Sequence, residues 1–145
     1  MSGSKVLLVE DDLRQRKIMK KWLTKSGYSC IEANDGVEAL EQFEKHNGDI
    51  KLVILDVMMP RMDGISLIKE IRAKAISTAP VIMCTGADPT TLESLDVFAM
   101  FTKPVDMNAF MEKVKKAFYF GQNQATIMGK VHKLSALLNS ATFAI

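Results

Sequence analysis

The chain has only two cysteines among its 145 residues, Cys30 and Cys84. Neither belongs to a CxxC pair or stands at metal-ligand spacing from a histidine, so no zinc site and no disulfide framework are predicted. Long apolar runs are also missing. None approaches the roughly 18 residues of a membrane span, and Met1 to Lys5 lacks the basic-then-apolar order of a secretory signal. Surplus charge is absent from the body, where residues 1–120 hold 17 Lys or Arg against 17 Asp or Glu. The net +2 comes from Lys130 and Lys133, since no acid follows Phe120. A nucleic-acid module is expected to carry a basic surplus, so no nucleic-acid partner is expected. No GxGxxG or GxxxxGKS occurs, which removes the common nucleotide-binding loops. With 48% apolar residues the chain can bury a core, which excludes disorder for most of it. A cytoplasmic domain is the expectation.

What is present is an alternation of short apolar runs with amphipathic stretches. Val6–Val9, Ser29–Ala33, Leu52–Leu55, Pro80–Thr85 and Val97–Phe101 read as strands. Leu13–Ser26 reads as a helix ended by Gly27, with Ile18, Met19, Trp22 and Leu23 on one face. Asp35 is the expected N-cap of the next helix, whose Val37, Leu40 and Phe43 point inward. Gly64–Ala75 and Asp106–Phe118 complete the clear helices, and a weaker one is expected over Asp88–Leu95. Five strand–helix units in series predict an α/β domain, a doubly wound parallel sheet with helices on both faces. The basic stretch Arg14–Lys25, six cations and no acid, reads either as a solvated helix face or as a docking face for an acidic partner.

In such sheets ligands gather outside the carboxyl ends of the strands. Glu10, Asp11 and Asp12 follow the first strand, Asp56 the third, Thr85 the fourth, and Lys103 with Pro104 the fifth. Two carboxylates about 4 Å apart repel by about 4 kcal/mol at an effective dielectric near 20, so a cluster of Glu10, Asp11 and Asp56 calls for a cation. Hard oxygen ligands without His or Cys suit Mg²⁺. A carboxylate can also attack phosphorus to give an acyl phosphate. That transfer needs charge neutralisation more than proton transfer, and Mg²⁺, Lys103 and the Thr85 hydroxyl would each serve one phosphoryl oxygen.

Taken together, Glu10-Asp11-Asp12, Asp56-Val-Met-Met-Pro-Arg-Met-Asp-Gly64, Thr85-Gly86 and Lys103-Pro104 resemble the receiver domain of bacterial-type response regulators, over residues 5 to about 120. The resemblance implies a flavodoxin-like five-stranded sheet of order 2-1-3-4-5, which sets Cys30 and Cys84 about three strands apart and keeps them unbonded. It also implies that Asp56 is the phosphoacceptor. Asp11 is then a direct Mg²⁺ ligand, Glu10 a ligand through water, and the Met58 backbone carbonyl the third protein contact. Thr85 and Lys103 would hold phosphoryl oxygens, Asp12 would cap the first helix, and Lys103–Pro104 would be a cis peptide. Met59, Met62 and Gly64 would shape the loop beside the site, with Gly64 at positive φ.

One departure stands out. The family usually has Tyr or Phe three residues before the lysine, and this chain has Met100; the neighbouring Phe101 points to the opposite face of the strand. Met58 and Ala87, two residues beyond Asp56 and Thr85, flank the approach of water in receivers. Neither can orient it, so the resemblance implies a long-lived phosphoryl group.

The implied function is a response regulator of two-component signalling, loaded by a histidine kinase or histidine phosphotransfer protein and acting on a downstream protein. It would be a signalling domain, not an enzyme in the ordinary sense. A haloacid-dehalogenase-like phosphatase is the enzyme alternative, but it needs a second Asp where Met58 stands. A scaffold-only receiver would normally have lost Asp56 or Lys103. The domain would span residues 1–120, with 121–145 as a C-terminal helical tail. There Gln122–Gln124 read as a connector and Ile127, Val131, Leu134 and Leu138 form an apolar stripe. That stripe could be an extra helix on its own domain, a homodimer seam, or a linker in a longer regulator.

Overall fold

The computed structural model describes residues 3–46, 48–56, 62–86, 97–124 and 133–139. Their order is β1 (Lys5–Val9), α1 (Leu13–Lys25), β2 (Cys30–Ala33), α2 (Gly36–Lys45), β3 (Ile50–Asp56), α3 (Gly64–Ala73), β4 (Val81–Thr85), β5 (Ala99–Thr102) and α4 (Met107–Gln122). All strand pairs are parallel, and the sheet runs β2-β1-β3-β4-β5, the predicted flavodoxin-like order. The helix expected over Asp88–Leu95 lies outside the described residues.

Strand alternation sorts the core into two layers. Leu7, Val9, Val53, Leu55, Val81 and Met83 face α2 and α3, where Ala39, Phe43, Leu67, Ile68 and Ile71 meet them. Val6, Leu8, Leu52, Ile54, Ile82 and Cys84 face α1 and α4, against Met19, Leu23, Phe110, Val114 and Ala117. Both faces of the central strands are therefore apolar, which is why their sequences read as continuous runs rather than alternating ones.

Each of α1 to α4 starts on an aspartate. Asp12, Asp35, Asp63 and Asp106 accept backbone N–H groups of the first turns of α1, α2, α3 and α4. Glu38 reaches back to accept the Asn34 N–H at 2.6 Å, completing a reciprocal cap around Asp35. Gly64 is simply the first residue of α3, and its backbone is not at positive φ; Gly27 and Gly48 are the described glycines that are. The expected strained turn at Gly64 is replaced by the Asp63 cap.

Two further expectations need correcting. On α1 the buried side consists of Met19 and Leu23, whereas Ile18 and Trp22 are 50% and 40% exposed, because the helix turns only one narrow stripe onto the sheet. The last helix also runs past Phe118 to Gln122, so Gln122 is helical rather than a connector. Its extension is explained by Gly121, whose missing side chain lets α4 lie on the sheet. A Cβ there would stand 1.8 Å from the Lys51 carbonyl oxygen. Lys51 is itself the extra residue of a register shift, since β1 pairs Lys5 with Ile50 and Val6 with Leu52. Gln124 then closes the turn, accepting from the Thr78 hydroxyl at 2.8 Å and donating to the Thr78 carbonyl at 2.6 Å. Residues 133–139 are helical, with Leu134, Leu137 and Leu138 exposed.

Candidate functional site

Four strands deliver their ends to one place. Glu10 follows β1, Asp56 ends β3, Thr85 ends β4 and Lys103 follows β5, the Lys103–Pro104 peptide being cis. Glu10, Asp56 and Thr85 are buried. Parallel register explains the gathering: Val9 lies beside Leu55, Asp56 beside Cys84 and Thr85 beside Thr102, so the next residue of each strand leaves the sheet at the same edge. The Lys103 N–H donates to the Thr85 carbonyl at 2.7 Å, which fixes where the lysine begins.

Its ammonium then reaches back over the site. Lys103 Nζ donates to Asp56 Oδ2 at 3.0 Å and to Glu10 Oε1 at 3.1 Å. One ammonium thus serves two buried carboxylates, and the balance of charge remains negative. Burial first, and the Asp56 carboxylate second, push the Glu10 carboxyl up to about 7, against the pull of Lys103. Burial lowers the Lys103 ammonium, but its bonds to Asp56 and Glu10 outweigh that and raise it.

Carboxylate oxygens of Glu10, Asp11 and Asp56 lie within 4.8 Å of one another. Glu10 Oε2 is buried without a hydrogen-bond partner among the described residues. A buried acceptor with nothing to accept is costly, and a hard cation bound by three carboxylates would supply what is missing. The donor set therefore fits Mg²⁺.

Other predicted positions are placed less completely. Asp12 caps α1 and takes no part in the cluster. Met58 and Ala87, with Met59, lie outside the described residues. Met62 packs on the α2–α3 side of the core, and its carbonyl accepts the Gly36 N–H at 3.1 Å. Met100 is half-buried on that same side, paired in register with Met83. Phe101 faces the other layer, edge-on to Phe110 with ring centres 5.5 Å apart. Cys84 sits beside Asp56, but burial pushes its thiol up to about 12, and both cysteines are free.

Two contributors escaped the sequence reading. Arg16 donates to the Glu10 carbonyl at 2.7 Å, to Asn34 Oδ1 at 2.5 Å and to Glu32 at 3.1 Å, tying the β1–α1 junction to β2. Lys20 also bonds Glu32, at 2.9 Å, so two of the six cations of Arg14–Lys25 belong to an ion-pair network rather than a free stripe. Gln15 accepts a hydrogen bond from Lys103 Nζ at 2.8 Å. The signal for Arg16 was its place one helical turn after Asp12; nothing in the sequence marked Gln15. Beside this corner a groove of about 530 Å³ opens between α1 and the β5–α4 turn.

The response regulator receiver domain family model matches residues 6–115, most of the chain. The chain belongs to this family. Among its relatives, the CheY chemotaxis protein of Bacillus subtilis is 32% identical over 77% of this chain and 95% of its own length. The CpxR homolog of Haemophilus influenzae, a transcriptional regulatory protein, is 38% identical over 77% of this chain. The chain spans about half the length of that regulator, 49%. In structure, the response regulator protein TrrA of Thermotoga maritima, solved in complex with Mg²⁺ and BeF, is 33% identical with a TM-score of 0.70. That match covers 79% of this chain and 98% of the other. The receiver domain of the hybrid histidine kinase CckA is 36% identical over 79% of this chain and 99% of its own, with a TM-score of 0.68. The chain is thus a receiver domain of two-component signalling. Among the described residues no helix is long and apolar enough to cross a membrane.

Proposed function

We propose that this receiver takes a phosphoryl group onto Asp56 from a phosphohistidine donor, a histidine kinase or histidine phosphotransfer protein, in the cytoplasm. The observation that carries the proposal is the pairing of Asp56 Oδ2 with Lys103 Nζ at 3.0 Å, next to an orphaned Glu10 oxygen. A carboxylate oxygen of Asp56 attacks phosphorus, the bond to the donor imidazole nitrogen breaks, and that nitrogen keeps the electron pair. Asp11 and Asp56, with Glu10, would hold Mg²⁺, which when bound would supply charge neutralisation for the transferring group. Lys103 gives one phosphoryl oxygen a charge-assisted hydrogen bond, and the Thr85 hydroxyl serves another. Asp56 is largely buried between Glu10 and Thr85, with a small exposed part open to a donor. The product alters a surface read by a downstream protein.

Incubation with acetyl phosphate and Mg²⁺ should add one acid-stable, base-labile phosphoryl group, seen by intact mass. Asp56→Asn should abolish the addition, and so should EDTA. A phosphoryl group still gained by Asp56→Asn would sink the assignment.

A further inference from the structure

β2 brings no carboxylate to the cluster, yet the residues that end it touch both segments that do. The register of β1 with β3 ends at Val9 and Leu55. Past that point the backbone of Glu10 is held from the β2 side. Its N–H donates to the Ala33 carbonyl at 3.1 Å, and its carbonyl accepts from Arg16 Nη1 at 2.7 Å. The same Nη1 donates to Asn34 Oδ1 at 2.5 Å. Glu38 fixes that amide, accepting from the Asn34 backbone N–H at 2.6 Å and from its Nδ2 at 3.2 Å.

Two residues on, the Gly36 N–H donates to the Met62 carbonyl at 3.1 Å. Met62 lies between Asp56, which ends β3, and Asp63, which caps α3. A Cβ on Gly36 would stand 2.6 Å from Met62 Cγ, 2.7 Å from its Cβ and 2.8 Å from its carbonyl oxygen. Gly36 is not at positive φ, so this close approach is what calls for glycine.

We propose that residues 33–36 clamp the segment carrying Glu10 and Asp11 to the one that follows Asp56, and so tune the cluster to Mg²⁺ over the larger Ca²⁺. This rests on reading the cluster as a cation site. Mg²⁺ demands near-ideal octahedral geometry at about 2.0–2.1 Å, whereas Ca²⁺ takes six to eight oxygens at about 2.3–2.6 Å in looser arrangements. A spacing held from outside the cluster favours the ion with the stricter geometry. Loosening the clamp therefore costs Mg²⁺ more than Ca²⁺.

The test titrates metal-free wild type and three variants with Mg²⁺ and with Ca²⁺, reading each affinity from NMR resonances of the folded protein. Asn34→Ala, at an exposed position, frees one side of Arg16 and should weaken Mg²⁺ binding about threefold, the worth of a modest hydrogen bond. Gly36→Ala pushes Met62 away and should weaken it about tenfold, as overpacked sites do. Ca²⁺ affinity should move less in both. Ala39→Gly is the control, since it weakens buried α2 without touching either clamped bond; it should lower the melting temperature and keep the ratio of the two affinities. If Gly36→Ala does not fold, Asn34→Ala decides alone. A ratio unchanged in either folded clamp variant, or lowered equally in Ala39→Gly, overturns the clamp and leaves the cation site in place. A wild type that binds neither ion overturns the cation-site reading and the clamp with it.

Discussion

At the carboxyl end of the sheet, β1, β3 and β4 deliver buried Glu10, Asp56 and Thr85, and the two carboxylates share a single ammonium. At the amino end the same strands are closed by packing and neutral or backbone hydrogen bonds: Gly121 lies on the Lys51 carbonyl and Gln124 is bonded twice to Thr78. Arg72 adds two more bonds there, donating to the Ser77 and Ala79 carbonyls at 2.9 Å. At the carboxyl end Glu10 Oε2 has no hydrogen-bond partner among the described residues, while at the amino end Gln124 and the Arg72 Nη atoms bond the backbone beside them. The difference teaches where the fold holds stability and where it gives stability up.

The sharpest way to break this comparison is to add the same methyl group at each end. Gly121→Ala meets backbone, the Lys51 carbonyl oxygen at 1.8 Å, and Pro80 Cδ at 3.1 Å, so α4 must lift from β3. We expect a loss of about 3 kcal/mol in urea unfolding, the upper part of the range for overpacked sites. Gly86→Ala, at the site, meets nothing within 4 Å among the described residues and should change stability by less than about 0.5 kcal/mol. Similar losses at the two positions would erase the distinction.

Arg16 sharpens the comparison from the other side, since it stabilises the carboxyl end without belonging to the charge cluster. Arg16→Met removes three hydrogen bonds, one of them to the Glu10 backbone, and should cost about 2 kcal/mol and weaken Mg²⁺ binding. Arg16→Lys should not restore it, because one ammonium cannot span acceptors that the guanidinium reaches through both Nε and Nη1. Lys20→Met breaks only a half-exposed pair with Glu32 and should cost less than about 0.5 kcal/mol. Calorimetric Mg²⁺ titration of the three variants checks the order; a Mg²⁺ affinity unchanged in Arg16→Met would separate Arg16 from the site.

These expectations also mark how far the sequence could be read. The gathering of Glu10, Asp56, Thr85 and Lys103 was legible because each follows an apolar run and parallel strands bring their ends to one edge, whereas the sheet order came from the resemblance to receiver domains. The cap at Asp35 was legible for a similarly local reason, a short acidic side chain at a helix start, and the cap at Asp12 followed from the resemblance. What was hidden depends on approach between distant segments. Nothing local distinguishes Gly121 from a flexible glycine before a tail, since the Lys51 carbonyl that demands it is far along the chain. The inward face of α1 was drawn too wide because Ile18 and Trp22 fit the helical period, but only Met19 and Leu23 reach the sheet. Gln15 looked like any polar residue on a helix until Lys103 folded back onto it.

The carboxyl end is best tested through Glu10, whose carboxyl is pushed up to about 7 from an ordinary 4.5. A raised value in the folded state means that the protonated form is favoured by folding. Its stabilising contribution is complete below pH 4.5 and is lost as pH rises through about 7. Cation binding needs the charged form and should reverse the loss. Thermal unfolding of wild type and Glu10→Gln across this range, in EDTA and in Mg²⁺, is the deciding measurement. In EDTA, wild type should fall progressively below Glu10→Gln as pH rises; added Mg²⁺ should raise the melting temperature of wild type and leave that of the variant nearly unmoved. A wild type that stays the more stable protein in EDTA above pH 7, and is indifferent to Mg²⁺, would contradict a site built to hold its charge for a cation.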